Sequence, residues 1–173
     1  MLMLDLFAGL GGASAAMRDR GWDVVTVDVE PRFGCTVTAD LSAWSWDGPR
    51  PDLVWASPPC TEFSRESMPW CRTGQTPGME LVNAARRIIA ECEPQWWVIE
   101  NVRGATRYLN PILGEPVSYG PFFLWGAFPA FRARVRFFKE RLSSTRRAER
   151  AQVPYALSEA LARACESTLF TGA

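Results

Sequence analysis

Met1-Leu2-Met3-Leu4-Asp5-Leu6-Phe7-Ala8-Gly9-Leu10-Gly11-Gly12 opens the chain, an apolar run of strand length that breaks into a glycine-rich turn. The next segment, Ala13-Ser14-Ala15-Ala16-Met17-Arg18, is compatible with a helix, and Gly21 is placed to stop it. A second β-prone run, Val24-Val25-Thr26-Val27, ends on Asp28. Strand, glycine turn, helix, strand and terminal acid, in that order, make the nucleotide-binding half of a doubly wound sheet. Glycines let the backbone approach a ligand closely, and the acid suits ribose hydroxyls. A glycine in such a turn can also serve packing alone. The spacing Gly-Leu-Gly-Gly is not the dinucleotide Gly-x-Gly-x-x-Gly, and Asp5 sets a carboxylate where it would face a pyrophosphate. A cationic, phosphate-free nucleoside such as S-adenosylmethionine fits this arrangement better than NAD.

Two further strands end on reactive groups. Asp52-Leu53-Val54-Trp55-Ala56 is apolar and runs into Ser57-Pro58-Pro59-Cys60-Thr61-Glu62-Phe63-Ser64. Proline fixes its own φ and pushes its predecessor toward extended geometry, so the Pro-Pro pair holds Cys60 at a defined place. That suits a nucleophile, although a buried cysteine in a stiff loop would show the same pattern. Trp96-Trp97-Val98-Ile99-Glu100-Asn101-Val102 is another strand ending on an acid and an amide. In an open α/β sheet the carboxyl ends of the strands line the ligand crevice. Asp5, Asp28, Cys60 and Glu100 are therefore expected to converge.

With these pieces in place the chain resembles the cytosine-C5 DNA methyltransferase family through nearly its whole length. Asp5 to Gly12 is similar to that family's cofactor loop. Pro59-Cys60 with Phe63-Ser64 resembles its Pro-Cys-x-x-Phe-Ser catalytic loop, and Glu100-Asn101-Val102 its Glu-Asn-Val motif. Arg132-Ala133-Arg134 resembles its Arg-x-Arg element, and Val153-Pro154-Tyr155-Ala156-Leu157-Ser158 its final motif, whose helix folds back on the cofactor pocket. The resemblance implies a single α/β domain over residues 1–173 with a doubly wound, mostly parallel sheet, the Rossmann-like fold of S-adenosylmethionine-dependent methyltransferases.

It also implies a chemistry. Carbon 5 of cytosine is a poor nucleophile; addition of a Cys60 thiolate at C6 would make it one, a covalent route that divides a hard step in two. Glu100, with its pKa raised by the apolar strand that carries it, would protonate or hydrogen-bond the N3 edge. Arg134 and Arg132 would hold the base carbonyl and supply charge that favours the thiolate. For the cofactor, the resemblance implies Phe7, Gly9 and Gly11 around the methionine portion, Asp28 on the ribose hydroxyls and Asp40 on the adenine amino group, with Asp5 and Pro59 also in the cofactor-binding set. Asp40 also reads as an N-cap for a short helix from Ser42. The chain contains no histidine, so a Cys-His dyad is excluded, and with it a Cys-His protease or acyltransferase. Cys35, Cys71, Cys92 and Cys165 lack metal-ligand spacing, so neither zinc nor another metal is expected. Five cysteines without a signal segment suggest a reducing, cytoplasmic setting without disulfides.

Net charge is zero, but its distribution is uneven. Residues 132–150 carry eight basic groups against Glu140 and Glu149, while residues 1–131 are net acidic. Such a run can be a solvated face; beginning inside the Arg-x-Arg element, it reads as phosphate contact. The expected nucleic-acid contacts are Ser64, Arg65, Arg72, Arg136, Lys139, Arg146 and Arg147, with 65–75 as a mobile lid. The main departure from the family lies in the 18 residues from Val135 to Gln152, which stand where its members insert a target-recognition region. Ala130 and Thr61 occupy positions where glutamine is usual, and the final motif lacks its usual Gly-Asn.

The expected partner is DNA, double- or single-stranded, with the target cytosine flipped out of the stack to become 5-methylcytosine. The short interval points to short or relaxed sequence specificity, or to a partner subunit that supplies recognition. Methylation of RNA cytosine and a non-enzymatic regulatory role stay open. No apolar run is long enough for a membrane span. Strands are expected near 2–7, 23–28, 37–39, 53–56, 96–100 and 133–138, and helices near 13–20, 79–92 and 156–168. Ser118 to Pro129, aromatic and turn-rich, carries no assignment.

Overall fold

The computed structural model describes residues 1–66, 76–135 and 152–170. Among them are seven strands: β1 (Leu2–Leu6), β2 (Asp23–Asp28), β3 (Val37–Thr38), β4 (Leu53–Ala56), β5 (Trp96–Asn101), β6 (Val117–Tyr119) and β7 (Phe122–Ala127). The helices are α1 (Ala15–Asp19), α2 (Thr61–Glu66), α3 (Glu80–Cys92), α4 (Thr106–Leu113) and α5 (Tyr155–Phe170). The strands form one sheet in the order β3-β2-β1-β4-β5-β7-β6. The first five run parallel, and β7 and β6 are antiparallel additions. The chain builds outward from β1 to β2 and β3, then returns to place β4 on the other side of β1. That reversal opens a crevice beyond the carboxyl ends of β1 and β4.

β1 and β4 lie between helical layers, which is why they read as unbroken apolar runs. Alternate side chains go to opposite faces. Met3, Leu53, Trp55, Trp96 and Val98 pack with Met17 of α1 and with Leu157 and Leu161 of α5. Leu4, Leu6, Val54, Ala56 and Ile99 pack with Val82, Ala85 and Ile88 of α3 and Leu109 of α4.

The expected helices and the first five expected strands stand within a few residues of their predicted places. The strand expected at 133–138 does not: residues 133–135 carry no strand, and 136–138 lie outside the described residues. The sheet edge is built instead from the unassigned aromatic stretch, as a hairpin in which Tyr119 pairs with Phe122 across Gly120 (φ 65°) and Pro121. Phe122-Phe123-Leu124-Trp125 is continuously apolar, so it carries no period-2 signal. Gly126 lies so close to β5 that a Cβ there would meet the Trp97 carbonyl oxygen at 2.0 Å. The predicted lid begins as a helix, since α2 starts at Thr61, directly after Cys60. No helix among the described residues is long and apolar enough to cross a membrane.

Candidate active site

The turn after β1 is made of left-handed residues: Phe7 (φ 57°), Gly9 (φ 51°) and Gly11 (φ 71°). An aromatic residue in that region is strained by about 1–2 kcal/mol, so the surrounding contacts hold the turn in place. The glycines divide the work. A Cβ on Gly9 would meet nothing within 4 Å, which leaves its face open. A Cβ on Gly12 would stand 2.6 Å from the Val153 oxygen and 2.9 Å from the Val153 nitrogen. Gly12 is therefore a packing residue, seating the final motif against the turn.

Two acids brace the loop. Asp5 is buried beneath it and accepts a hydrogen bond from the Ser14 hydroxyl at 2.6 Å. Burial pushes its pKa up to about 6, against the opposing pull of Ser14 and Arg18. Asp28 closes β2; one carboxylate oxygen accepts from the Gly9 N–H and the other from the Glu30 N–H, each at 2.9 Å. Asp28 thus holds the open glycine in position. Leu10 and Val29, 47% and 60% exposed, flank this region as apolar surface that the sequence reading passed over. Asp40 is exposed and accepts from the Ser42 N–H at 2.9 Å, an interaction that lowers its pKa. Its capping role is visible in a hydrogen-bonded turn over 41–43 rather than a helix.

Cys60 leaves β4 through a fixed path. The Ser57 N–H donates to the Leu6 carbonyl at 3.1 Å, and Asn101 Nδ2 donates to the Pro58 carbonyl at 3.0 Å. The Cys60 carbonyl in turn accepts the Ser64 N–H at 2.8 Å, so α2 begins on the cysteine. Because Ala56 pairs with Ile99, the ends of β4 and β5 lie side by side and bring Cys60 and Glu100 to the same edge of the sheet. Burial raises the Glu100 pKa to about 7, with a hydrogen bond from Ser57 working the other way. Burial also raises the Cys60 thiol, as does the charge of Glu100, while a hydrogen bond with Ser64 lowers it.

Arg132 and Arg134 are exposed and make no hydrogen bond or ion pair to a described residue, while Ala133 and Val135, which alternate with them, pack inward. Phe131 anchors the segment by stacking on Tyr119, with ring centroids 4.6 Å apart, and its carbonyl accepts the tyrosine hydroxyl. The Arg65 side chain and the whole of Arg72, Arg136, Lys139, Arg146 and Arg147 lie outside the described residues. A cavity of about 240 Å³ opens behind the Pro-Pro-Cys loop, lined by Pro58, Pro59, Phe63 and Val82 among others; neither Cys60 nor Glu100 lines it.

The model of the C-5 cytosine-specific DNA methylase family matches residues 1–110, which contain the glycine turn, Cys60 and Glu100. The chain belongs to that family. It is 30% identical over 158 residues to the protein named probable DNA (cytosine-5)-methyltransferase from Frog virus 3 (isolate Goorha), spanning 81% of this chain and 71% of the viral one. Among solved structures, the Entamoeba histolytica methyltransferase EhMeth is 15% identical, with a TM-score of 0.49, and S. pombe Dnmt2 is 18% identical, with a TM-score of 0.47. These alignments take in 83% and 84% of this chain but 57% and 52% of theirs, so it spans about half the length of those methyltransferases.

The final motif reaches α1 through Ser158, which the sequence reading did not single out. The Ser14 hydroxyl is committed to Asp5, so α1 has no side-chain cap of its own. Ser158 Oγ accepts the Ala16 N–H at 3.2 Å and donates to the Ala13 carbonyl at 2.6 Å. It serves as a cap supplied from α5. Farther along, Glu166 pairs with Arg20 and accepts the Trp22 indole N–H at 3.0 Å.

Proposed function

We propose that the chain methylates C5 of cytosine in DNA, using S-adenosylmethionine as donor and a covalent adduct to Cys60. The observation that carries this reading is the arrival of Cys60 and Glu100 on adjacent strand ends, beside the turn that follows β1. A thiol and a carboxyl with a pKa near 7 at one sheet edge suit addition at C6 and protonation at N3.

The residues fit the cofactor. The open face of Gly9 is where a ligand can approach backbone, Leu10 and Val29 offer apolar surface to a nucleobase, and Asp28 stands at the end of β2 for the ribose. Asp5, Phe7, Gly11, Asp40 and Pro59 complete the proposed set. When bound, S-adenosylmethionine supplies the sulfonium methyl that the activated C5 takes up. The thiolate of Cys60 forms the S–C6 bond, and the C5–C6 electron pair moves to C5. Glu100 gives its proton to N3 as the thiolate adds and takes it back once C5 has been methylated. Loss of the C5 proton to a solvent base then re-forms the C5=C6 bond, and the S–C6 pair leaves on the Cys60 sulfur. Arg134 and Arg132 are assigned to the base carbonyl and to stabilising the thiolate, whose pKa is raised in this structure.

Residues 1–173 are read as one catalytic domain, with 135–152 as a short basic segment in place of a recognition domain. Ser64, Arg65, Arg72, Arg136, Lys139, Arg146 and Arg147 are proposed to meet the nucleic acid, and specificity is short or relaxed unless a partner subunit adds to it. The test is incubation with labelled cofactor and mixed-sequence DNA, with tRNA in parallel, followed by nucleoside mass spectrometry. Expected are 5-methylcytosine in DNA and a covalent adduct with 5-fluorocytosine DNA that is lost in Cys60→Ser. Methyl transfer that survives Cys60→Ser would refute the mechanism, and transfer confined to tRNA would refute the substrate.

A further inference from the structure

Ser57 lies between β4 and the two prolines and is half-buried. The register that pairs Trp55 with Val98 and Ala56 with Ile99 runs on to set Ser57 beside Glu100, on the sheet face shared by Trp55 and Val98. The Trp55 side chain is fully buried, and its indole N–H donates to Ser57 Oγ at 2.8 Å. A hydroxyl has one proton to give. With an oxygen lone pair taken by the indole, that proton is free to turn to the Glu100 carboxyl beside it on the same face, and Ser57 draws the Glu100 pKa down against the effect of burial.

We propose that Ser57, held by Trp55, is a positioning residue that fixes which oxygen of Glu100 carries the proton offered to the base. The oxygen that accepts from Ser57 is the less basic of the two, so the transferable proton resides on the other. This assignment rests on the functional reading above, in which Glu100 protonates N3. Other groups around Glu100 do not duplicate the role. Leu124, its partner on β7, carries no charge. Asn101 points to the opposite face and donates to Pro58. Asp5 stands one step back beside Trp55 and is tied to Ser14. Cys60, the titratable neighbour, is coupled to Glu100 by charge alone.

The test is a ¹³C NMR titration of the Glu100 carboxyl in the full chain, with the resonance assigned by Glu100→Gln. Removing a donor to a carboxylate raises its pKa, so Ser57→Ala moves the midpoint up by roughly one pH unit. Trp55→Phe moves it in the same direction by less, and Ser57→Thr, which keeps the hydroxyl, restores the wild-type value. The acid-limb break of the kcat/KM profile shifts with the midpoint; a merely structural role would lower activity and leave that break in place. An unchanged midpoint in a folded Ser57→Ala, or a Ser57→Thr shift as large as that of alanine, overturns the assignment. Should Ser57→Ala not fold, an unchanged midpoint in Trp55→Phe overturns it equally. The titration needs no turnover, so absence of methyl transfer by the wild type sinks the functional reading separately.

Discussion

Replacing Gly12 with alanine isolates the contact between the glycine turn and the final motif. Gly12 has no positive φ, so the substitution carries no backbone strain, and its effect comes from space. The added Cβ would stand 2.4 Å from Gln152 Cγ, 2.6 Å from the Val153 oxygen and 2.9 Å from the Val153 nitrogen. A flexible glutamine can move aside; backbone held by neighbouring Pro154 and the start of α5 cannot do so cheaply. Overpacking of this kind costs about 1–3 kcal/mol. The lower entropy of the unfolded alanine chain offsets about 0.4–1 kcal/mol. The net loss is about 1–2 kcal/mol, a fall in melting temperature of roughly 3–6 °C for a domain of this size. Urea denaturation of wild type, Gly12→Ala, Gln152→Ala and the double variant measures it. The loss should persist in the Gln152→Ala background, because the backbone contact remains. A Gly12→Ala protein as stable as wild type, or one fully rescued by Gln152→Ala, would refute the reasoning.

Other outcomes follow from the same contacts. Ser158→Ala removes the cap that α5 supplies to α1 and leaves the Ala16 N–H and Ala13 carbonyl unpaired, at a cost of about 1–2 kcal/mol; denaturant midpoints will show it, and a neutral result would remove the capping role. Glu100 has a folded pKa raised from 4.5 to about 7, so the folded state holds its proton more tightly than the unfolded state. Stability from this group is therefore full below about pH 4.5 and falls as pH rises to about 7, by on the order of 3 kcal/mol. Asp5 contributes in the same direction from 3.8 through about 6 and is still titrating there, so its share of the slope between pH 6 and 7 is common to wild type and to a Glu100 variant. Urea midpoints at pH 6 and pH 7 should fall more steeply for wild type than for Glu100→Gln, which keeps only the Asp5 slope; an equal slope in both would remove the raised pKa.

Much of the fold was legible because its parallel strands announce themselves. β1, β4 and β5 are buried on both faces and appear as short apolar runs, each followed by turn residues or an acid. Those ends also reveal the site, since a doubly wound sheet gathers the carboxyl ends of its strands in one crevice. The hairpin of β6 and β7 was illegible: an unbroken aromatic run has no period, and its pairing depends on Gly126 meeting the Trp97 carbonyl across the sheet. The absence of a strand over 133–135, where one was expected to begin, has a related reason. Alternation of Arg132, Ala133, Arg134 and Val135 reports one face packed and one exposed, and an extended segment achieves that without a ladder.

By itself, the order of residues determined the chemistry on offer: a thiol behind two prolines, an acid at the end of an apolar strand, and a turn of glycines. Each is a local pattern, set by the φ restriction of proline, the freedom of glycine and the burial of apolar strands. Tertiary structure alone decided how those groups are held. Ser158 caps a helix more than a hundred residues away. Gly12 makes room for Val153, Asp28 holds Gly9, and the Trp55 indole holds the Ser57 hydroxyl. Such contacts join residues distant in sequence or lodged on different elements, and their geometry exists only after the sheet has set strand register and the helices have closed over its faces.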